Sequence, residues 1–224
     1  MRKPDLEFGL WAARPNRRTV LKGLGGAGAI AIGAPAWAND DEALYDPAPP
    51  ADSAYVRLVA GGASESVSIG AAIFPAGAAP RIEAYRVLPA GKYAVSGGAS
   101  GEVTLAAGSS YSYLIGGATE PALTQDDIVG DPAKCGLMLF NLSDAPAARL
   151  YVPGRDIEIL GGVATGAQKT RAVNALTVDL AVGPPDAETA RFPNVKLRRR
   201  SHVSFLLAGS AGKYAAVMAR NAVS

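Results

Sequence analysis

Ser53-Ala54-Tyr55-Val56-Arg57-Leu58-Val59-Ala60-Gly61-Gly62-Ala63-Ser64-Glu65-Ser66-Val67-Ser68-Ile69-Gly70 is the stretch that decides the fold. Tyr55 to Val59 alternates, with Val56 and Leu58 on one face and Tyr55 and Arg57 on the other, which is the two-residue period of a strand. Gly61-Gly62 turns the chain, and Ser66 to Gly70 alternates again. Working outward, Glu83 to Leu88 runs into Pro89-Ala90-Gly91, and Lys92 to Val95 returns. Proline supplies the fixed φ and glycine the positive φ of a tight turn. Glu102 to Leu105 and Ser110 to Ile115 complete a meander, and no stretch carries a sustained helical period. Short strands at regular spacing predict an all-β sandwich.

The second half repeats the plan. Gly136 to Asp144 parallels Tyr55 to Ser64, a strand entering a polar turn, and Ala148 to Val152 follows as Val67 to Gly70 does. Thr170 to Val173 and Leu176 to Val182 parallel the Glu83–Val95 pair. Asn194 to Leu197, His202 to Leu207 and Tyr214 to Met218 close the block. Both blocks finish with a strand, a turn and a strand: Val103 to Ile115, and Val195 to Leu207. The expected fold class is all-β, with two tandem small β-sandwich domains over 53–117 and 135–224. An extended, Pro-rich lead-in (39–52) precedes them, and a linker (118–134) joins them.

Residues 1–38 read as an export segment. Asn16-Arg17-Arg18-Thr19-Val20-Leu21-Lys22 precedes a Gly/Ala-rich run from Gly23 to Ala36, and Ala36-Trp37-Ala38 supplies a small-x-small cleavage site. The pair Arg17 and Arg18 marks a twin-arginine signal, with cleavage after Ala38 and a mature chain in the periplasm. The apolar run is well short of the ~20 residues that cross a bilayer, and no cysteine ends it to carry a lipid. Its loss would remove six of the 22 basic and two of the 20 acidic residues, leaving 16 against 18 in 186 residues and a net charge of −2. Bulk attraction to nucleic acid is therefore not expected.

Chemistry-bearing residues are sparse. His202 is the only histidine and Cys135 the only cysteine. An acyl-transfer triad would need His202 as its base, no G-x-S-x-G elbow is present, and His202 reads as a polar strand residue. Cys135 reads as a small buried side chain, an internal disulfide is impossible, and no catalytic, cofactor-binding or metal-ligating set is expected. The acids Asp40-Asp41-Glu42 and Asp126-Asp127 fall in the lead-in and linker and read as solvated. Asp126, Asp127 and Asp131 lack the Gly turn and terminal Glu of a calcium loop.

Two features read as contact surface. Lys196, Arg198, Arg199 and Arg200 form the densest charge of the mature chain, suited to carboxylates, or else a solvated hairpin tip. Tyr55 and Arg57 are expected on a face opposite the core, preceded by Leu44 and Tyr45 on the lead-in, so Tyr45, Tyr55 and Arg57 are candidate partner contacts. Tyr111 and Tyr113 share a face, as core filling or as a sugar-stacking platform.

The segment Glu42-Ala43-Leu44-Tyr45-Asp46-Pro47, then Ser53-Ala54-Tyr55-Val56-Arg57-Leu58, resembles the start of the mature chain in the AlgF family. Leu88-Pro89-Ala90-Gly91-Lys92-Tyr93, the Asn141-Leu142-Ser143-Asp144 turn and Val195-Lys196-Leu197 extend the resemblance over about 43–222. The resemblance implies a periplasmic, non-enzymatic component of exopolysaccharide (alginate-like) O-acetylation that bridges acyltransferase components. Its implied partners are periplasmic polysaccharide acetyltransferases and a membrane O-acyltransferase, with an anionic polysaccharide as a further candidate. A twin-arginine signal departs from the family's usual general secretory signal. The alternative is a secreted carbohydrate-binding or adhesion module.

Overall fold

The alternation at Tyr55–Val59 does form a strand, and its register sets the first half of the molecule. The structure, a computed structural model, describes residues 49–98, 101–155 and 157–223. The export segment with Arg17, Arg18, Ala36 and Ala38, and the lead-in with Leu44 and Tyr45, lie outside the described residues. Strand β1 (Ser53–Ala60) is followed by β2 (Val67–Ile69), β3 (Ala72–Phe74), β4 (Arg81–Ile82), β5 (Arg86–Pro89), β6 (Gly91–Ser96), β7 (Gly101–Leu105), β8 (Ser110–Ile115) and β9 (Ala122–Gln125). In one sheet β1 pairs with β4 and β5 on one side and runs parallel to β8 on the other, with β9 beyond. The second sheet has the order β3-β2-β6-β7.

The second half repeats this topology. It comprises β10 (Lys134–Ser143), β11 (Ala148–Val152), β12 (Ile157–Val163), β13 (Gln168–Asn174), β14 (Thr177–Gly183), β15 (Ala190–Lys196), β16 (Ser201–Ser210) and β17 (Lys213–Arg220). Its sheets are β13-β10-β16-β17, with β10 and β16 parallel, and β12-β11-β14-β15. Strand for strand, β10 stands for β1, β16 for β8 and β17 for β9. The fold is all-β with two tandem sandwiches, as expected. The stretch expected as a linker is partly strand: Leu123 and Thr124 pair with Tyr113 and Ser112, making β9 the edge of the first sandwich.

Each sandwich has its own core. Val56, Leu58, Val67, Ile69, Phe74, Tyr111 and Tyr113 fill the first, and Leu137, Leu139, Leu150, Leu180, Phe205 and Leu207 fill the second. Tyr111 and Tyr113 are thus core filling. A third apolar cluster lies between the sandwiches, where Val59 and Leu114 meet Met138, Phe140, Leu142, Leu206 and Ala208. The sheets containing the parallel pairs therefore pack on each other, and β1 and β10 are covered on both faces. That explains the unbroken apolar runs Leu137–Phe140 and Phe205–Leu207, which a strand with one wet face would not carry. Gly61 permits the approach, because a Cβ there would stand 2.8 Å from the Leu142 Cβ.

Candidate functional site

Covering both faces of β1 decides the fate of Arg57. Its side chain leaves the face opposite Val56 and Leu58, as the alternation requires, but that face is the seam between the sandwiches. Arg57 is fully enclosed. The expectation that it contacts a partner or polymer is corrected: its guanidinium serves the interior. Its Nε donates to Ser112 Oγ at 2.9 Å, and its Nη1 donates to Ser204 Oγ at 3.0 Å and Asn221 Oδ1 at 2.9 Å. Its Nη2 lies 3.5 Å from Met138 Sδ and 3.5 Å from Asp126 Oδ2. The Tyr85 and Phe140 rings flank the guanidinium carbon at 4.5 and 5.3 Å, within cation–π range.

Asp126 is likewise corrected. Expected as a solvated acid, it is buried, accepting hydrogen bonds from the Ser112 and Tyr85 hydroxyls. The cause is β9: pairing with β8 turns the next residue, Asp126, inward, and its N–H donates to Ser110 O. Asp127 beside it stays exposed. Burial lowers the Arg57 pKa, opposed by Tyr85 and Asp126, and burial raises that of Tyr85, opposed by Arg57. An arginine nevertheless keeps its proton.

The seam has a local two-fold logic. Arg57 stands opposite Ser112 in the β1–β8 register, and Met138 stands opposite Ser204 in the β10–β16 register. Asp126 N bonds Ser110 O, and Asn221 N bonds His202 O, two residues before each of those serines. Arg57, Ser112 and Asp126 of the first half thus correspond to Met138, Ser204 and Asn221 of the second. Arg57 touches both members of each pair and its own counterpart, as residues at a two-fold axis do.

His202 lies at the rim of the seam. The Val129 N–H donates to its Nε2 at 2.9 Å, so the neutral ring carries its proton on Nδ1. Burial lowers its pKa, with Arg57 acting the same way and Asp126 opposing. Tyr55, half-buried, lines a crevice of about 280 Å³ here together with Tyr85, Ser110, Ile128, His202 and Val223. Cys135 is fully enclosed, with its sulfur 3.5 Å from Ser201 Oγ. Among the described residues no three His, Cys, Asp or Glu side chains converge to hold a metal ion.

Lys196, Arg198, Arg199 and Arg200 are all exposed, at the turn between β15 and β16. The structure brings them together with one another, but among the described residues no hydrogen bond or ion pair joins them to Tyr55 or Arg57. The roles of Arg57 and Asp126 are the ones sequence reasoning misses. The only local signal for the seam is the absence of polar alternation in β10 and β16.

Fold and site together define a tandem β-sandwich protein that spends its buried charges on holding its two halves together. Residues 29–204 match the family described as "Alginate O-acetyl transferase AlgF", and the chain belongs to that family. It is similar to proteins named "Alginate biosynthesis protein AlgF". That of Pseudomonas putida is 28% identical over 177 residues, covering 78% of this chain and 82% of that one. The Azotobacter vinelandii protein is 26% identical over 196 residues, 87% of each chain. The Pseudomonas aeruginosa protein is 28% identical over 203 residues, 87% of this chain and 92% of that one. Among solved structures, the C-terminal domain of AlgF from P. aeruginosa aligns with 24% identity and a TM-score of 0.37, over 40% of this chain and 99% of that chain.

Proposed function

We propose that this protein is a non-catalytic, exported adaptor of an exopolysaccharide O-acetylation system, bridging a membrane O-acyltransferase and periplasmic polysaccharide acetyltransferases. Family membership places it in alginate biosynthesis and O-acetylation. The adaptor role rests on one observation: the chain's only imidazole has its acceptor nitrogen engaged by the Val129 N–H. Acyl transfer through a hydroxyl or thiol needs a free base beside the nucleophile. The only thiol, that of Cys135, is fully buried in β10 beside β16. Surface is what the molecule has to offer its partners.

The test is twofold. Purified full-length protein should turn over no acetyl ester, and acetyl-ester turnover that disappears in His202→Ala would overturn the reading. In cells lacking this gene, polymer acetylation should fall while the acetyltransferases are still made, and those enzymes should co-purify with the tagged protein. Export through the twin-arginine route is part of the proposal. Arg17→Lys with Arg18→Lys should leave precursor in the cytoplasm; normal export of that double variant would remove the route.

A further inference from the structure

One side of the first sandwich stays open where the matching side of the second is bridged. In the second half β12 and β13 end their respective sheets, and β13 side chains cross to the facing strand. Arg171 Nη1 donates to Ile159 O and Lys169 Nζ to Gly161 O, both at 2.8 Å. The corresponding strands of the first half are β3 and β5. Arg86 stands opposite Val56 as Arg171 stands opposite Leu137. Val56 and Leu137 precede the matched residues Arg57 and Met138, so Arg86 is the counterpart of Arg171. It shares its face of β5 with buried Leu88 and is itself half-buried. Among the described residues its guanidinium reaches no carboxylate and, unlike that of Arg171, no carbonyl of the facing strand. In place of a cross-bridge there is a groove of about 370 Å³, lined by Ala71, Ala72, Ile73, Arg86, Val87 and Leu88.

The main chain along this groove is set to receive a strand. Ala90 N–H donates to Asp52 O, which fixes the phase of the β1–β5 ladder. Arg86 and Leu88 therefore bond β1, while Tyr85, Val87 and Pro89 turn their polar main-chain groups outward. Two of these three are already used. Tyr85 N–H donates to Ala222 O beside a parallel bridge to Val223, and Pro89 O accepts from the Tyr93 hydroxyl at 2.7 Å. Val87, between them, has no outward partner among the described residues. The chain's own segment at Ala222 thus already adds to this edge, and the next position along it is open. On the facing strand, Ile73 is 62% exposed.

We propose that the groove between β3 and β5 is a docking site for an extended segment of a partner protein, which adds to the edge of β5 at Val87 and sets an aspartate or glutamate side chain on Arg86. That such a partner exists rests on the adaptor reading above. Strand addition takes its affinity from main-chain hydrogen bonds and its specificity from pockets for alternate side chains, and both are present here. A guanidinium at the mouth of the groove selects a carboxylate, which it pairs bidentately. Packed sheets stand ~10 Å apart, so the gap between their edges admits an extended chain and is too narrow for a helix ~10–12 Å across with its side chains.

The experiment selects displayed random linear peptides on the purified protein. Enriched sequences should place Asp or Glu among alternating Val, Ile or Thr. For a synthetic copy of the best sequence, Arg86→Gln in the protein should weaken binding at least about tenfold, as should Gln in place of the peptide's acid. Val87→Pro removes the outward N–H at an edge position that tolerates proline, and should weaken binding likewise with the melting temperature preserved. Bound peptide should slow hydrogen exchange at the Val87 amide, a signature that a change in fold stability alone would not confine to that edge. If Val87→Pro unfolds the protein, Arg86→Gln and the Val87 exchange rate decide. No enrichment, a helical or basic consensus, or affinity unchanged in Arg86→Gln would overturn the proposal. So would dimerisation of the protein that Arg86→Gln abolishes, because a second copy would then be the occupant. Co-purification with the acetyltransferases is read separately. Failure here leaves the adaptor reading standing on another surface, and failure there leaves the groove's preference for an acidic strand intact.

Discussion

Replacing Arg57 by methionine tests whether the seam depends on its one buried cation. Methionine retains much of the side-chain length and apolar contact but removes three N–H···O hydrogen bonds and the charge facing Asp126. The Asp126 carboxylate then keeps only the Ser112 and Tyr85 hydroxyls as side-chain donors in a site sealed from water. Removing one partner of a buried pair typically costs 3–5 kcal/mol, so a loss of about 4 kcal/mol is expected. For a chain of this size that corresponds to a melting temperature lower by roughly 8–16 °C. Asp126→Asn alone leaves the cation short of its counter-charge and should cost a similar amount. The pair Arg57→Met with Asp126→Asn should recover part of the loss, with a coupling energy of about 1–3 kcal/mol. Urea unfolding followed by far-UV circular dichroism gives each value. An Arg57→Met protein within about 1 kcal/mol of the parent, or single losses that add to within ~0.5 kcal/mol, would refute the argument.

Acidification should weaken the fold through His202. Its folded pKa lies below the unfolded value near 6.5, so between the two the unfolded chain binds more protons. The stabilisation is complete above ~6.5 and is lost as pH falls through the folded value. His202→Gln, which can still accept from the Val129 N–H, should flatten the dependence of melting temperature on pH from about 7.5 to 5. A parallel shift of both curves would dismiss His202 as the titrating group. Gly97 has φ 80°, and a Cβ added there would overlap the Ser66 carbonyl oxygen. Gly97→Ala should therefore destabilise the first sandwich by about 2 kcal/mol or more, read by urea unfolding, and a neutral effect would contradict that geometry.

Much of the architecture is legible in the sequence because strand patterns and turn residues are local. Pro89-Ala90-Gly91 joins β5 to β6 as its turn chemistry predicts, and the matching ends of the two blocks are β7–β8 and β15–β16. Other strands leave little trace: β3, β9 and β12 carry no distinct alternation, and their pairing is decided by the neighbours they meet in the sheets. The role of Arg57 is hidden for a different reason. Alternation tells which residues share a face but not whether that face meets water or another sheet. Tyr55 and Arg57 look like a wet face in isolation. Only the apolar run Leu137–Phe140, in the other half of the chain, shows that a second sandwich needs something to cover it. Lys196 to Arg200 are readable because a turn between two strands exposes whatever charge it carries.

The correspondence of Arg57 with Met138 at the seam also bears on how such a chain can change. Two copies of the first half, joined in the same way, would set guanidinium against guanidinium at the axis. Two copies of the second would set thioether against thioether and leave Ser204 and Asn221 without the cation that joins them. Neither half is a suitable mate for itself, while each completes the other. The two halves share a topology but differ at the point where they touch, so a substitution on one side is best tolerated where the other side answers it. Inheritance of the two halves as one covalent chain keeps those answering changes together.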